Sequence, residues 1–194
     1  MRRAVFVDRD GVLNDLVRDP VSGRPESPLD PEHVVLLPGV APAVRRLHDA
    51  GYLVIGISNQ PAAAKGIVGI ERLEQVQSRV LELLGRDGVT LDCFRLCFHH
   101  PEGIVPELAR QCECRKPRAG MLLEAANELD VDLASSWMVG DTDGDVAAGC
   151  SAGCRTVLIE NPASLHKRRG DARPDACAPD LSGAADLIAS RARR

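Results

Sequence analysis

Aromatic residues are scarce in this 194-residue chain, at 3%: three phenylalanines, one tyrosine and one tryptophan. That scarcity excludes the stacked aromatic platforms that hold single-stranded nucleic acid, and leaves the core to Val, Leu, Ile and Ala. A basic surplus is missing too. With 24 Lys and Arg against 28 Asp and Glu, the formal net charge is −4, so no global positive field draws in a phosphate polymer. No stretch approaches the length of a membrane span, and the apolar run after Arg2 and Arg3 stops at Asp8, too short for a secretory core. The seven cysteines, at 93, 97, 112, 114, 150, 154 and 177, are odd in number and clustered, unlike a disulfide framework. No internal repeat is present. The expectation is a monomer of the reducing cytoplasm, with no nucleic-acid or membrane partner. Its length fits one domain spanning 1–194.

What is present begins with residues 3–14. Ala4, Val5, Phe6 and Val7 form a continuous apolar run suited to a strand buried on both faces of a parallel sheet. The run ends at charge, with Asp8 and Asp10 one residue apart and Gly11 permitting a sharp turn. Carboxylates at the carboxyl end of a buried strand sit where open α/β sheets place ligands. Two so close repel one another, and they require a shared proton or a metal cation.

The pattern then alternates. Breakers at 19–20, 23, 25, 28, 31 and 38 exclude a long regular element from 15–38, which is either a substrate-facing flap or a surface excursion. A helix is predicted over 40–50 and a buried strand over 52–57 running into Ser58-Asn59-Gln60, then a helix over 70–84 and a strand over 92–98. A helix over Gly120–Leu129, strands over 136–139 and 155–159, and a last helix over 181–189 complete the reading, with 166–173 a solvated basic loop. Strands alternating with helices make βαβ units, hence an α/β fold with a central parallel sheet. Carboxylates appear at a strand end again in Gly140-Asp141-Thr142-Asp143-Gly144-Asp145. That run lacks the spacing and terminal Glu of an EF-hand.

Cys97-Phe98-His99-His100 and Cys112-Glu113-Cys114 bracket a proline-bearing loop, 97–114. Thiolate and imidazole are the ligands zinc prefers, and four protein ligands leave no open position, so the ion is expected to be structural. The predicted set is Cys97, His99, Cys112 and Cys114, with His100 the rival imidazole. Cys150, Cys154 and Cys177 have no His at ligand spacing and read as core or incidental thiols.

Asp8-Arg9-Asp10-Gly11-Val12-Leu13-Asn14 resembles the first motif of the haloacid dehalogenase-like phosphohydrolases. Ser58, Lys116 after the cysteine loop, and Gly-Asp-x-x-x-Asp at 140–145 match the later motifs in order. The resemblance implies one Rossmann-like three-layer domain without a large cap. It also implies Asp8 as nucleophile, Asp10 as general acid/base, Ser58 and Lys116 on the transferring phosphoryl group, and Asn59 orienting the substrate. Magnesium would be held by Asp8, the Asp10 backbone carbonyl and Asp141, with Asp145 bracing the site or holding Lys116. The cysteine loop with Arg115-Lys116-Pro117 is similar to the zinc-loop subgroup that contains heptose 1,7-bisphosphate and histidinol-phosphate phosphatases. The partner so implied is a small phosphorylated metabolite: heptose 1,7-bisphosphate losing its 7-phosphate, or else histidinol phosphate. Arg115 offers a fork to a second anionic or hydroxyl-bearing group. Members of the heptose group often carry Lys where Thr142 stands and a Gly-Tyr turn after the first motif, and 15–38 has no tyrosine. A zinc-stabilised binding module of the same fold is the non-catalytic alternative.

Overall fold

The structure is a computed structural model and describes residues 1–192. Strand β1, Arg3–Asp8, occupies the middle of the sheet, and Ala4 to Val7 are fully buried on both faces. It pairs in parallel with β4, Tyr52–Asn59, along its whole length and with β6, Trp137–Gly140, on its other side. Strands β5 (Cys93–Cys97), β7 (Arg155–Ile159) and β8 (Ala176–Ala178) extend this to six parallel strands in the order β5-β4-β1-β6-β7-β8.

The period-two alternation of β1 sends its side chains to two separate cores. Val5 and Val7 pack with helices α1 (Val40–Asp49), α2 (Ile70–Arg86) and α5 (Leu181–Ala192), through residues such as Leu47, Val80 and Ile188. Ala4 and Phe6 pack with α3 (Gly120–Leu129) through Met121 and Leu122, and with α4 (Asp143–Ala152) through Ala148. The result is three layers, helix, sheet, helix, with every strand's carboxyl end opening on one side. Trp137 is the sole tryptophan, buried in β6, and the guanidiniums of Arg155 and Arg191 stand over its ring at 5.5 and 5.4 Å.

Several elements differ from expectation. Helix α4 was not predicted, because its sequence Asp-Gly-Asp-Val-Ala-Ala-Gly-Cys-Ser-Ala carries no apolar stripe. Its small face lies close against β6 and β7. Strand β8 is three residues between prolines and reads as loop. The segment 15–38 contains a short hairpin, β2 (Val17–Arg18) with β3 (Pro25–Glu26), and a 3₁₀ turn at Pro31–His33. The two ends of this segment are tied to each other, Asp15 N donating to Val35 O, and its far end is tied to the first motif, Leu37 N donating to Leu13 O. No cap layer stands over the strand ends among the described residues, and none of their helices is long and apolar enough to cross a membrane.

The basic stretch 166–173 requires a correction, since it is not merely solvated. It begins within a 3₁₀ turn, Pro162–Lys167, capped by the Asn161 side chain. Arg168 Nε then donates to Asp141 O at 2.8 Å, and its Nη2 donates to Ile159 O. Lys167 and His166 both reach Glu26 of the hairpin, at 2.8 and 3.4 Å. Two strand-end carbonyls left open by the sheet outcompete water for the guanidinium.

Candidate active site

The chain moves from β1 outward to β4 and β5 on one side, then returns to lay β6 and β7 on the other. The topological switch point therefore lies between β1 and β6, where open α/β sheets form their ligand crevice. Asp8 closes β1 and Asp141 follows β6 at that point. Lys116, which follows the cysteine loop, is buried beside them, between Asp8 and Asp145. Its Nζ lies 2.7 Å from Asp8 Oδ1, 2.6 Å from Asp145 Oδ1 and 3.2 Å from Ile57 O. Asp8, Asp141 and Asp145 bring a carboxylate oxygen each to within 4.8 Å of one another.

One ammonium faces three buried carboxylates, so the cluster is short of positive charge. Burial, resisted by Lys116 and reinforced by Asp145, Asp141 and Asp10, pushes Asp8 up to about 8. Burial, with Asp145 next, pushes Asp141 up to about 6. Asp141 Oδ2 accepts a hydrogen bond from Ser164 Oγ, while Oδ1 is buried with no partner. Gly11, at φ +87°, turns the backbone so tightly that a side chain there would overlap the Asp141 carboxylate. An unpaired buried carboxylate oxygen beside Asp8, all of it hard oxygen, fits a magnesium ion.

This imbalance predicts a pH signature. Asp8 and Asp141 bind protons more tightly folded than at the ordinary value of 3.8. The contribution of these two groups to the stability of the metal-free protein is thus full below about pH 4 and lost as pH rises, through about 6 for Asp141 and about 8 for Asp8. Magnesium competes with those protons, so the rise in Tm on adding it should grow between about pH 5.5 and about pH 8. Calorimetry at both values checks this, and an equal gain at each would contradict it.

Asp10 behaves differently. Burial acts to raise its pKa, but the Arg9 guanidinium and hydrogen bonds from Arg9, Asn14 and Gln60 prevail and hold it below the usual carboxylate range. Arg9, wholly buried, forks onto it with Nε to Oδ1 and Nη2 to Oδ2, both at 3.0 Å. Its carboxylate is filled and stands outside the cation-facing set, which leaves its backbone carbonyl as the group expected to meet magnesium. Asp145 joins that set instead, although its Oδ2 is taken by Thr142 N and Oγ1.

Gln60 links the first two motifs, its amide donating to Asp10 Oδ2 at 2.7 Å and to Ser58 Oγ at 2.9 Å. Buried Ser58 accepts in that bond, which leaves its own O–H available as a donor. Asn59, expected on the substrate, instead spends both ends of its amide on the backbone of Lys116, at 3.0 and 3.1 Å. Arg115, half-buried, donates to His99 O at 3.4 Å. Arg9, Asn14, Gln60 and Ser164 are the site residues that sequence reasoning missed. Arg9 and Asn14 lie within the first motif and Gln60 two residues after Ser58, so the first three could have been found there. Ser164 carries no sequence signal.

The cysteine loop closes on itself. Cys97, Cys112 and Cys114 sulfurs lie 3.0 to 3.6 Å apart, and His99 Nδ1 is 3.4 Å from Cys114 and 3.8 Å from Cys97. Tetrahedral zinc, with bonds of about 2.3 Å to sulfur and about 2.0 Å to nitrogen, sets its ligand atoms about 3.5–3.8 Å apart. The four residues could hold zinc. His100 faces elsewhere, accepting from Glu102 N at 3.1 Å.

Comparison with known proteins agrees with this geometry. The HAD-hydrolase-like family model matches residues 113–184. A D-glycero-β-D-manno-heptose-1,7-bisphosphate 7-phosphatase of Yersinia pestis is 35% identical over 89% of this chain and 87% of its own. The D-glycero-D-manno-heptose-1,7-bisphosphate 7-phosphatase of Thermosynechococcus vestitus is 38% identical over 96% and 95%. Among solved structures, the D,D-heptose 1,7-bisphosphate phosphatase of B. bronchiseptica, complexed with magnesium and phosphate, superposes with a TM-score of 0.80 at 27% identity, covering 97% of this chain and 99% of that one. Likeness that runs nearly end to end in both partners is inherited, and this chain belongs to the haloacid dehalogenase-like phosphatases, which are phosphoric monoester hydrolases.

Proposed function

We propose that the protein is a magnesium-dependent phosphatase that removes the 7-phosphate of D-glycero-D-manno-heptose 1,7-bisphosphate through a covalent intermediate on Asp8. The observation that carries the reading is Asp8 at the switch point, 2.7 Å from buried Lys116 and grouped with Asp141, whose Oδ1 is unpaired. The substrate assignment rests on the names of relatives that match nearly the whole chain.

A bound magnesium ion supplies the positive charge that lets an anionic nucleophile meet an anionic phosphate. Asp8 attacks phosphorus, the bond from phosphorus to the sugar oxygen breaks, and Asp10 gives that oxygen a proton. Asp10 then takes a proton from water, which attacks phosphorus, frees inorganic phosphate and restores Asp8. The Arg9 fork holds Asp10 as the anion that suits the second step. For the first step Asp10 must leave that fork protonated. Lys116 and Ser58 stabilise the equatorial oxygens. Arg115 meets the far end of the substrate, and the segment 15–38 covers it, since no cap layer among the described residues does so.

The test is a magnesium-supported phosphate-release assay over sugar mono- and bisphosphates, histidinol phosphate and nucleotides, ranked by kcat/KM. Heptose 1,7-bisphosphate should lead by about tenfold or more. Faster hydrolysis of histidinol phosphate than of every sugar phosphate would overturn the substrate, and no hydrolysis of any compound would overturn the activity.

A further inference from the structure

Ser164 belongs to none of the family's recognised motifs, yet it sits fully buried against the residue that faces the cation site. Its Oγ donates to Asp141 Oδ2 across 23 residues of sequence. The turn that bears it is fastened on both sides. Asn161 Nδ2 donates to Gly11 O at 3.0 Å, which ties the turn to the first motif. Arg168 Nε donates to Asp141 O at 2.8 Å, which ties it to the last. The Ser164 hydroxyl therefore has little freedom to follow the carboxylate if that group rotates.

A carboxylate turns easily about its last torsion, which is broad and two-fold. In a cluster with a nearby ammonium, Asp141 would gain by swinging an oxygen toward Lys116. A fixed hydroxyl on Oδ2 opposes that swing and leaves Oδ1 buried and unpaired. We infer that Ser164 is a positioning residue, whose hydrogen bond to Oδ2 orients Asp141 so that Oδ1 is preset to receive magnesium. The inference rests on the cation site of the proposed phosphatase. It concerns metal affinity rather than hydrolysis, so the two can fail separately.

Isothermal titration of zinc-loaded protein with magnesium reads the effect directly. Ser164→Ala should weaken magnesium binding by about 10–100-fold, the usual range for removing a partner behind a metal ligand. The magnesium concentration giving half-maximal phosphate release should rise by the same factor. A serine that merely filled space would alter the melting temperature of the metal-free protein and leave the magnesium affinity unmoved. An affinity within about threefold of wild type would overturn the inference. If Ser164→Ala does not fold, Ser164→Cys keeps the volume with a weaker donor and is judged by the same threshold. Weakened binding in a protein that hydrolyses no phosphate ester would support the positioning role while removing the phosphatase reading.

Discussion

Replacing Asp8 by Asn is expected to lower phosphate release by on the order of 10⁴-fold or more, because a nucleophile has no substitute within a catalytic unit. The same change should leave the Tm of the metal-free protein at pH 7 within about 3 °C of wild type, a shift that corresponds to roughly 1 kcal/mol in a protein of this size. With burial and three neighbouring carboxylates pushing it up to about 8, Asp8 in the metal-free protein is largely protonated at that pH. An amide matches a protonated carboxyl in size and polarity. Lys116 also keeps its partner Asp145 at 2.6 Å. The magnesium-induced rise in Tm, by contrast, should largely vanish. Turnover within a few-fold of wild type would remove the covalent mechanism, and a collapse in Tm would show that Asp8 holds the fold as well as the site.

The second large effect is expected at the cysteine cluster. Cys112→Ser combined with Cys114→Ser should reduce zinc from about one per chain to none and lower Tm by about 10 °C or more. Structural zinc contributes about 10–16 kcal/mol in small peptides near neutral pH. A third of that, at about 2–4 °C per kcal/mol, gives a drop of this size. Activity should fall with it, since Lys116 follows Cys114 by two residues and its backbone is fixed by the Asn59 amide across the loop's base. Metal analysis and calorimetry of the double variant check both, and retention of zinc with an unchanged melt would place the ligands elsewhere.

The sequence made the frame of the site legible because that frame depends on local pattern. An apolar run stopped by Asp8 says strand and strand end at once, and the parallel sheet follows from alternation. The loop cysteines were readable for the opposite reason, since thiols clustered at the two ends of a polar, proline-bearing loop follow no apolar pattern, although the fold does set Cys97 in the core with Cys112 and Cys114 against it. Other contacts depend on distance in space. Helix α4 packs by smallness rather than by an apolar stripe, so periodicity passes over it. Arg9 reads as a charge between two acids until the fold buries it completely against Asp10. Asn59 sits one residue beyond Ser58 and looks equally ready for a ligand. Only the return of the chain at Lys116, 57 residues later, shows what its amide holds. Ser164 and Arg168 lie in a stretch without periodicity and acquire meaning only from where Asp141 is.

The lone tryptophan gives the molecule a built-in optical reporter. Trp137 lies on β6, the strand that delivers Asp141, and no second indole contributes to the emission. Its ring is shielded from water, so loss of the native state exposes one fluorophore and shifts one band. Of the two cations above it, Arg155 comes from the next strand and Arg191 from the last turn of α5. Release of the last turn of that final helix would withdraw one of these cations and change the quenching of the indole without any opening of the sheet. Separation of helix release from global unfolding in a single unlabelled sample is thus a property of where this one residue stands.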